Sequence, residues 1–234
     1  MTASGQADRP LPEQAEFLRH VRSTLQSDQL LQRRYTYREK RTSIRRDDQG
    51  SETGRTEKII EHPVLGSGET LAQHEARRLT EGDNRRQENA IVDDVFRLYR
   101  FQLEGRETLG GYEAIAVTFT PEPGVIPRTR EGKILQKFSG RALVVERDHQ
   151  LMRLEVESTD DVTFGFGILA RLHKGSQMLF QRRPVNDVWL PSELRYSGDG
   201  RVLLVKKMRV EEVREYSGYR PLNLGTVAAQ SSAR

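Results

Sequence analysis

The chain has no cysteine, which excludes a disulfide framework, thiol catalysis and thiolate metal sites while leaving the compartment open. No apolar run approaches the roughly 20 residues needed to span a bilayer, and the start, Met1 to Pro12, lacks the apolar core of a signal peptide. Two readings stay open: a cytoplasmic protein, or a mature or trimmed form whose export signal is absent from this sequence. Catalytic signatures are missing too, with no Gly-x-Ser-x-Gly, no phosphate-binding loop and no Gly-x-Gly-x-x-Gly. His20, His62, His74, His149 and His173 stand at no metal-ligand spacing, and the pairs Asp93-Asp94 and Asp160-Asp161 put adjacent carboxylates on opposite faces of an extended backbone. They read as caps and turns. No nucleophile, base and orienting group can be placed together from spacing, so an enzyme is the least supported class and no cofactor or metal is expected.

What is present is polar and alternating. Hydrophobic residues make up 35% and charged residues 31%, the balance of a sheet wet on one side. At 234 residues one substantial core can be buried. One domain over residues 13–222 is expected, between unstructured segments at 1–12 and 223–234. The net charge of +4, from 38 basic and 34 acidic residues, is too balanced to predict nucleic-acid binding.

Leu18, Val21 and Leu25 follow helical spacing, with Glu13 and Glu16 in the first turn, so an amphipathic helix is expected from Glu13 to about Leu31, covering one face of a sheet. The pattern then turns extended from Arg33 to Arg46, turns at Asp47 to Gly50, and continues as a strand over Thr56 to Glu61. Gly66 to Ala90 is the least legible stretch, with a short surface helix expected at Leu71 to Leu79. Val95 to Glu107 and Tyr112 to Thr120 read as a hairpin around Gly110-Gly111. A second hairpin pairs Arg141 to Arg147 with Gln150 to Ser158; there Met152, Leu154 and Val156 alternate against Leu151, Arg153 and Glu155. The last strands are expected at Ser176 to Arg183, Val188 to Ser197, Val202 to Arg209 and Val210 to Tyr219, with turns at Asn186-Asp187 and Ser197 to Gly200.

Three stretches invite function. Thr163 to Leu172 is the most apolar segment, where Phe164, Phe166, Ile168 and Leu169 surround two glycines; it either plugs the core or walls a hydrophobic pocket. Trp189, the single tryptophan, sits in Val188-Trp189-Leu190-Pro191, as core packing or as a ligand wall. Between Arg33 and Arg46 seven basic residues and one acid, Glu39, interleave with Tyr35 and Tyr37. Such a strand can be a solvated outer face, a contact for anionic lipid headgroups or an acidic partner, or a single-strand nucleic-acid platform; it lacks the RNA-recognition consensus.

Tyr35-Thr36-Tyr37-Arg38-Glu39 after a first helix, the block Phe164 to Gly175, and Val188-Trp189-Leu190-Pro191 leading to Tyr216-Ser217-Gly218-Tyr219 together resemble an uncharacterised bacterial branch of the outer-membrane lipoprotein-sorting, LolA-like, superfamily. The resemblance covers about Glu13 to Leu222. It implies a mainly β (α+β) fold, a curved, unclosed antiparallel barrel over an N-terminal helix and short helical cover, in an envelope compartment, periplasmic or otherwise extracytoplasmic. It also implies an apolar concave face able to hold acyl chains. Two features depart from the pattern: no export signal or lipid-attachment cysteine stands in this sequence, and Gly66 to Ala90 is short of helical cover.

The leading expectation is therefore a monomeric, non-enzymatic carrier or envelope sensor. It would shelter a lipid or lipoprotein acyl chain against Tyr35, Tyr37, Phe101, Phe119, Phe164, Phe166, Ile168, Leu169 and Trp189, with peripheral membrane contact and no nucleic acid. The rival is an interaction module whose core is filled by its own side chains and which docks on an envelope protein through the basic strand.

Overall fold

The computed structural model describes residues 9–32, 34–47, 49–63, 70, 73, 85–164, 170–202 and 206–222. Helix α1 (Gln14–Gln32) begins where the Glu13 carboxylate accepts from the Ala15 and Glu16 amides at 2.9 and 2.6 Å, satisfying donors that a first helical turn leaves orphaned. Strands β1 (Tyr35–Arg46) and β2 (Glu52–His62) follow, joined by a turn in which Asp47 accepts from the Gln49 and Ser51 amides and Gly50 takes φ +83°. Then come α2 (Arg85–Leu98), β3 (Tyr99–Leu109), β4 (Tyr112–Pro121), α3 (Arg130–Leu135), β5 (Phe138–Val145) and β6 (Leu151–Ser158). Short β7 (Val162–Phe164) and β8 (Ala170–Leu172) precede the long β9 (Gln177–Val185), β10 (Val188–Val202) and β11 (Lys206–Pro221).

The strands form one antiparallel sheet in the order β2-β1-β11-β10-β9-β6-β5-β4-β3, with β7 and β8 attached through β10. Its path ends at β2 on one side and β3 on the other, so the sheet is mainly β, curved and unclosed. Residues facing one another across antiparallel strands share a face. The register therefore carries one face from Val117 and Phe119 through Ala142, Leu154 and Val156 to Met178, Leu194 and Tyr196. Phe17 and Val21 of α1 and Leu98 of α2 pack into the main core on this face with Ile115, Val117 and Val144, and we call it the inner face. Asp94, only 1% exposed, ties α2 to α3 by accepting from the Arg128 and Thr129 amides, the Thr129 hydroxyl and Arg97.

The edge at β3 is not left open. The Gln14 side chain donates to the Phe101 carbonyl at 3.2 Å and accepts from the Leu103 amide at 3.4 Å, taking the place of a neighbouring strand. Arg106 in turn binds the carbonyls of Arg9 and Pro10 and the Glu146 carboxylate, so residues 9 and 10 are held against the sheet although the sequence suggested a free segment there.

Three other expectations are corrected. Residues 95–98 are the last turn of α2, not the start of a strand; Val92, Val95 and Phe96 are spaced as a helical stripe, and α2 supplies cover that had been expected to be short. Ser197 to Gly200 do not turn. They continue β10, whose partner β11 is likewise one long strand, and Gly198 is there because a Cβ would lie 2.4 Å from the Tyr196 hydroxyl and 2.5 Å from Ser176 Oγ. Finally, a bulge opposite Leu143/Val144 breaks the alternation of β6. Met152 joins Val145 and Trp189 in a separate cluster, while Leu151 packs with Leu154 and Val156 against the main core.

Candidate functional site

Between the inner face and its helices lies a cavity of about 490 Å³. Helix α1 contributes Leu18, Val21 and Leu25, the stripe read in the sequence, and α2 contributes Val95 and Phe96. The sheet supplies a floor of Phe101, Val117, Phe119, Val144, Leu154, Val156 and Met178, and Leu135 closes the side at the end of α3. Aromatic rings set one wall: Phe96 stacks on Phe101 at 5.3 Å, and Tyr99 meets Phe119 edge-on at 5.2 Å. The Tyr99 hydroxyl donates to the Leu135 carbonyl, and burial pushes the phenol well above its ordinary range, so the ring presents hydrocarbon to the cavity. Among the described residues, none of those lining the cavity is charged.

Ser176, Gln177 and Tyr196 also stand among the lining residues, but the surface they turn to the cavity is hydrocarbon. Ser158 and Ser176 are fully buried, and both hydroxyls donate to the His173 carbonyl, at 3.1 and 2.7 Å. Burial pushes the Tyr196 phenol above its ordinary value, with Ser176 acting against the shift and the Asp199 carboxylate adding to it.

Beyond Tyr196 the inner face changes character. Its register continues to Glu212 and Arg214 on β11, then to Ser43, Arg41 and Glu39 on β1. Glu39 is 3% exposed and bonds Arg41 at 2.8 Å and His62 at 3.0 Å, with Arg214 3.9 Å away. Burial alone would raise its pKa, but the hydrogen bond and charge of Arg41, then His62 and Arg214, hold it below the ordinary carboxylate value. Tyr37 stacks on His62 at 4.6 Å and contacts Tyr216 and Tyr219. The basic strand is thus answered by acids: Arg38 by Glu61, Lys40 by Glu57, Arg41 by Glu39 and Arg46 by Glu211.

Of the residues singled out in the sequence, the structure brings Phe101 and Phe119 together in the cavity floor. Tyr35 and Tyr37 stand in the aromatic cluster on β1 and β11 instead. Trp189, 3% exposed, packs with Val145 and Met152 and meets Tyr112 edge-on at 5.1 Å, outside the cavity lining. Phe164 lies in β7, and Phe166, Ile168 and Leu169 lie outside the described residues. Sequence reasoning missed Val95, Phe96, Met178 and Tyr196. For the first two the helical spacing from Val92 was the available signal; for Tyr196 it was the Tyr-x-Gly spacing, hidden by reading Ser197 to Gly200 as a turn.

Among the described residues no group of three or more histidine and acidic side chains could hold a metal ion, and no helix is long and apolar enough to cross a membrane.

No protein-family model matches the chain, and no curated protein matches it. Among solved structures it is similar to a DUF1329 family protein from Desulfovibrio piger, at TM-score 0.37 and 11% identity over 93% of this chain and 99% of that one. A domain described as an outer membrane lipoprotein-sorting protein, from Vibrio parahaemolyticus, aligns at TM-score 0.33 and 8% identity over 90% and 97% of the two chains. A chain of the MucA/MucB complex of Pseudomonas aeruginosa aligns at TM-score 0.26 and 8% identity over 88% and 98%. Likeness at this level says nothing of what this chain binds.

Proposed function

We propose that this protein is a non-enzymatic, monomeric binding protein that holds one hydrocarbon chain, from a lipid or a lipid-modified protein, between the inner face of its sheet and helices α1 and α2. The observation that carries the reading is the uncharged cavity of about 490 Å³. Volumes of this size fall in the ordinary range of small-molecule sites. A liquid water occupies about 30 Å³, so on the order of fifteen methylene-sized groups fit, which is one acyl chain and not two. Burying about ten methylenes at roughly 0.8 kcal/mol each supplies about 8 kcal/mol gross, before the cost of immobilising the ligand. The resulting modest affinity suits a carrier or sensor that must release its cargo. The sequence resemblance to lipoprotein-sorting proteins supports an extracytoplasmic site of action, with an envelope protein as donor or recipient.

The alternative, an interaction module with a self-filled core, fits this volume less well. Native mass spectrometry of gently purified protein, with titration by the uncharged dye Nile red, tests the reading. A retained lipid mass or saturable one-to-one dye binding is expected. Protein that carries no added mass and binds no dye would refute it. Trp189 is a poor direct reporter because it packs in the separate cluster.

A further inference from the structure

The outer face of the sheet, turned away from α1 and α2, carries a trough of about 710 Å³ that crosses β4, β5, β6, β9, β10 and β11. Successive side chains of a strand point to opposite faces, so where a strand crosses the trough, the residue in its floor points inward and its neighbours stand as opposite walls. One wall is a complete row in register, Thr118, Arg141, Glu155, Leu179, Arg195 and Val213. The other runs from Ser139 through Glu157, Gln177 and Ser197 to Glu211. Between the walls lies backbone, that of Phe119, Val156 and Met178, whose side chains line the cavity beneath. Gly140 shares this floor, and a Cβ there would come within 2.0 Å of the Glu155 carbonyl oxygen, so only glycine lets β5 draw this close to β6.

The charges along the walls are unevenly answered. Arg141 is held by Glu104 and Glu107, and Arg195 by Glu193. Glu155 is held by Arg153 and Glu211 by Arg46. Glu157 is exposed and, among the described residues, forms no ion pair. We infer that this trough docks an extended segment of a partner protein, lying across the strands, with one lysine or arginine against Glu157 and an apolar side chain over Leu179 or Val213. Neighbouring strands lie about 4.8 Å apart, so crossing six of them spans about 24 Å, the length of about seven extended residues. A polypeptide suits these walls better than a hydrocarbon chain, because its backbone exchanges hydrogen bonds with Thr118, Ser139, Gln177 and Ser197, which an acyl chain would leave unpaired. The single unanswered carboxylate selects for positive charge and against negative. This docking goes beyond the hydrocarbon-binding reading and does not need the cavity to be filled.

The probe is a fluorescein-labelled heptapeptide of threonines with a central lysine and a valine two positions to either side, compared by fluorescence anisotropy with the same peptide carrying a central glutamate. The lysine peptide should bind saturably and at least about fivefold more tightly, the scale of one exposed ion pair set against one like-charge contact. Glu157→Gln should weaken it by about two- to fivefold, and Glu157→Lys should reverse the preference between the peptides. Position 157 is exposed, so both variants should keep the wild-type circular dichroism and Nile red binding. No saturable binding of the lysine peptide below about 1 mM, equal affinity for the two peptides, or a preference unchanged in Glu157→Lys would overturn the inference. Displacement of the peptide by Nile red would overturn it as well, by placing the peptide in the inner cavity.

Discussion

Asp94 offers the sharpest quantitative test of how the cavity wall is built. Its side chain is 1% exposed, and its oxygens accept from the Thr129 hydroxyl and Arg97 at 2.7 Å and from the Thr129 and Arg128 amides at 2.7 and 3.0 Å. Burial by itself would raise the carboxyl pKa, but these donors outweigh it and bring it from 3.8 down to about 2. Because the folded value lies below the unfolded one, the stabilisation is complete above the unfolded value and is lost as pH falls through the folded one. A displacement of nearly two pH units, at about 1.4 kcal/mol each, corresponds to about 2–3 kcal/mol at neutral pH. Asp94→Asn keeps the shape but sets an amide donor against donors, so urea unfolding at pH 7 should show a loss of at least about 2 kcal/mol. Repeated at pH 2.5, the same comparison should find more than half of that difference gone. Val95 and Phe96 beside Asp94, and Leu135 at the end of α3, line the cavity, so the variant should also bind Nile red more weakly. A difference below about 0.5 kcal/mol at pH 7, or one that does not change between pH 5 and 2.5, would refute this account of the corner.

Three further outcomes follow from other sites. His149 contacts His20 of α1 at 4.8 Å and is held below its ordinary value by burial and then by His20, against Asp148 and Glu146, so stability should fall as pH drops from about 6.5 toward the lowered value; His20→Gln should flatten that fall in urea titrations at pH 7.5 and 5. Glu39→Gln leaves Arg41 and Arg214 without their buried acid; with both arginines about a third exposed, a loss of about 2 kcal/mol is expected by thermal unfolding, less than a fully buried pair would give, and an unchanged midpoint would contradict it. Leu18→Glu combined with Leu25→Glu, on the α1 stripe that lines the cavity, should abolish dye binding while circular dichroism reports an intact sheet; dye binding unchanged from the wild type would contradict the cavity assignment.

The sheet was largely legible because β4 and β5 are continuous apolar, β-branched-rich runs bounded by turn residues and because Gly110-Gly111 and Asn186-Asp187 adopt the positive φ that their turns require. The places where reading failed share a physical cause: local pattern was overridden by a contact distant in sequence. Glycine at 198 looks like a turn residue, yet it is a clearance for Ser176, 22 positions earlier. Val95 and Phe96 satisfy both a strand and a helix pattern, and only their packing over Phe101 decides between them. The cavity was anticipated as a greasy surface against a helix, and two of its aromatic residues, Phe101 and Phe119, were named. Tyr35, Tyr37 and Trp189 went elsewhere because aromatic side chains fill small satellite clusters as readily as large ones.

The extra residue at Met152 acts as a phase shift in the written pattern of β6. Leu151 keeps its place over the cavity floor because one position is skipped before Leu154 and Val156 take it up again. Removing that one position would leave Leu151, Leu154 and Val156 in plain alternation over the cavity but take Met152 out of the cluster around Trp189 and straighten the strand beside it. Length variation among descendants of this sequence should therefore spare this strand and accumulate at the Asp47–Ser51 corner, where an added residue disturbs only solvent.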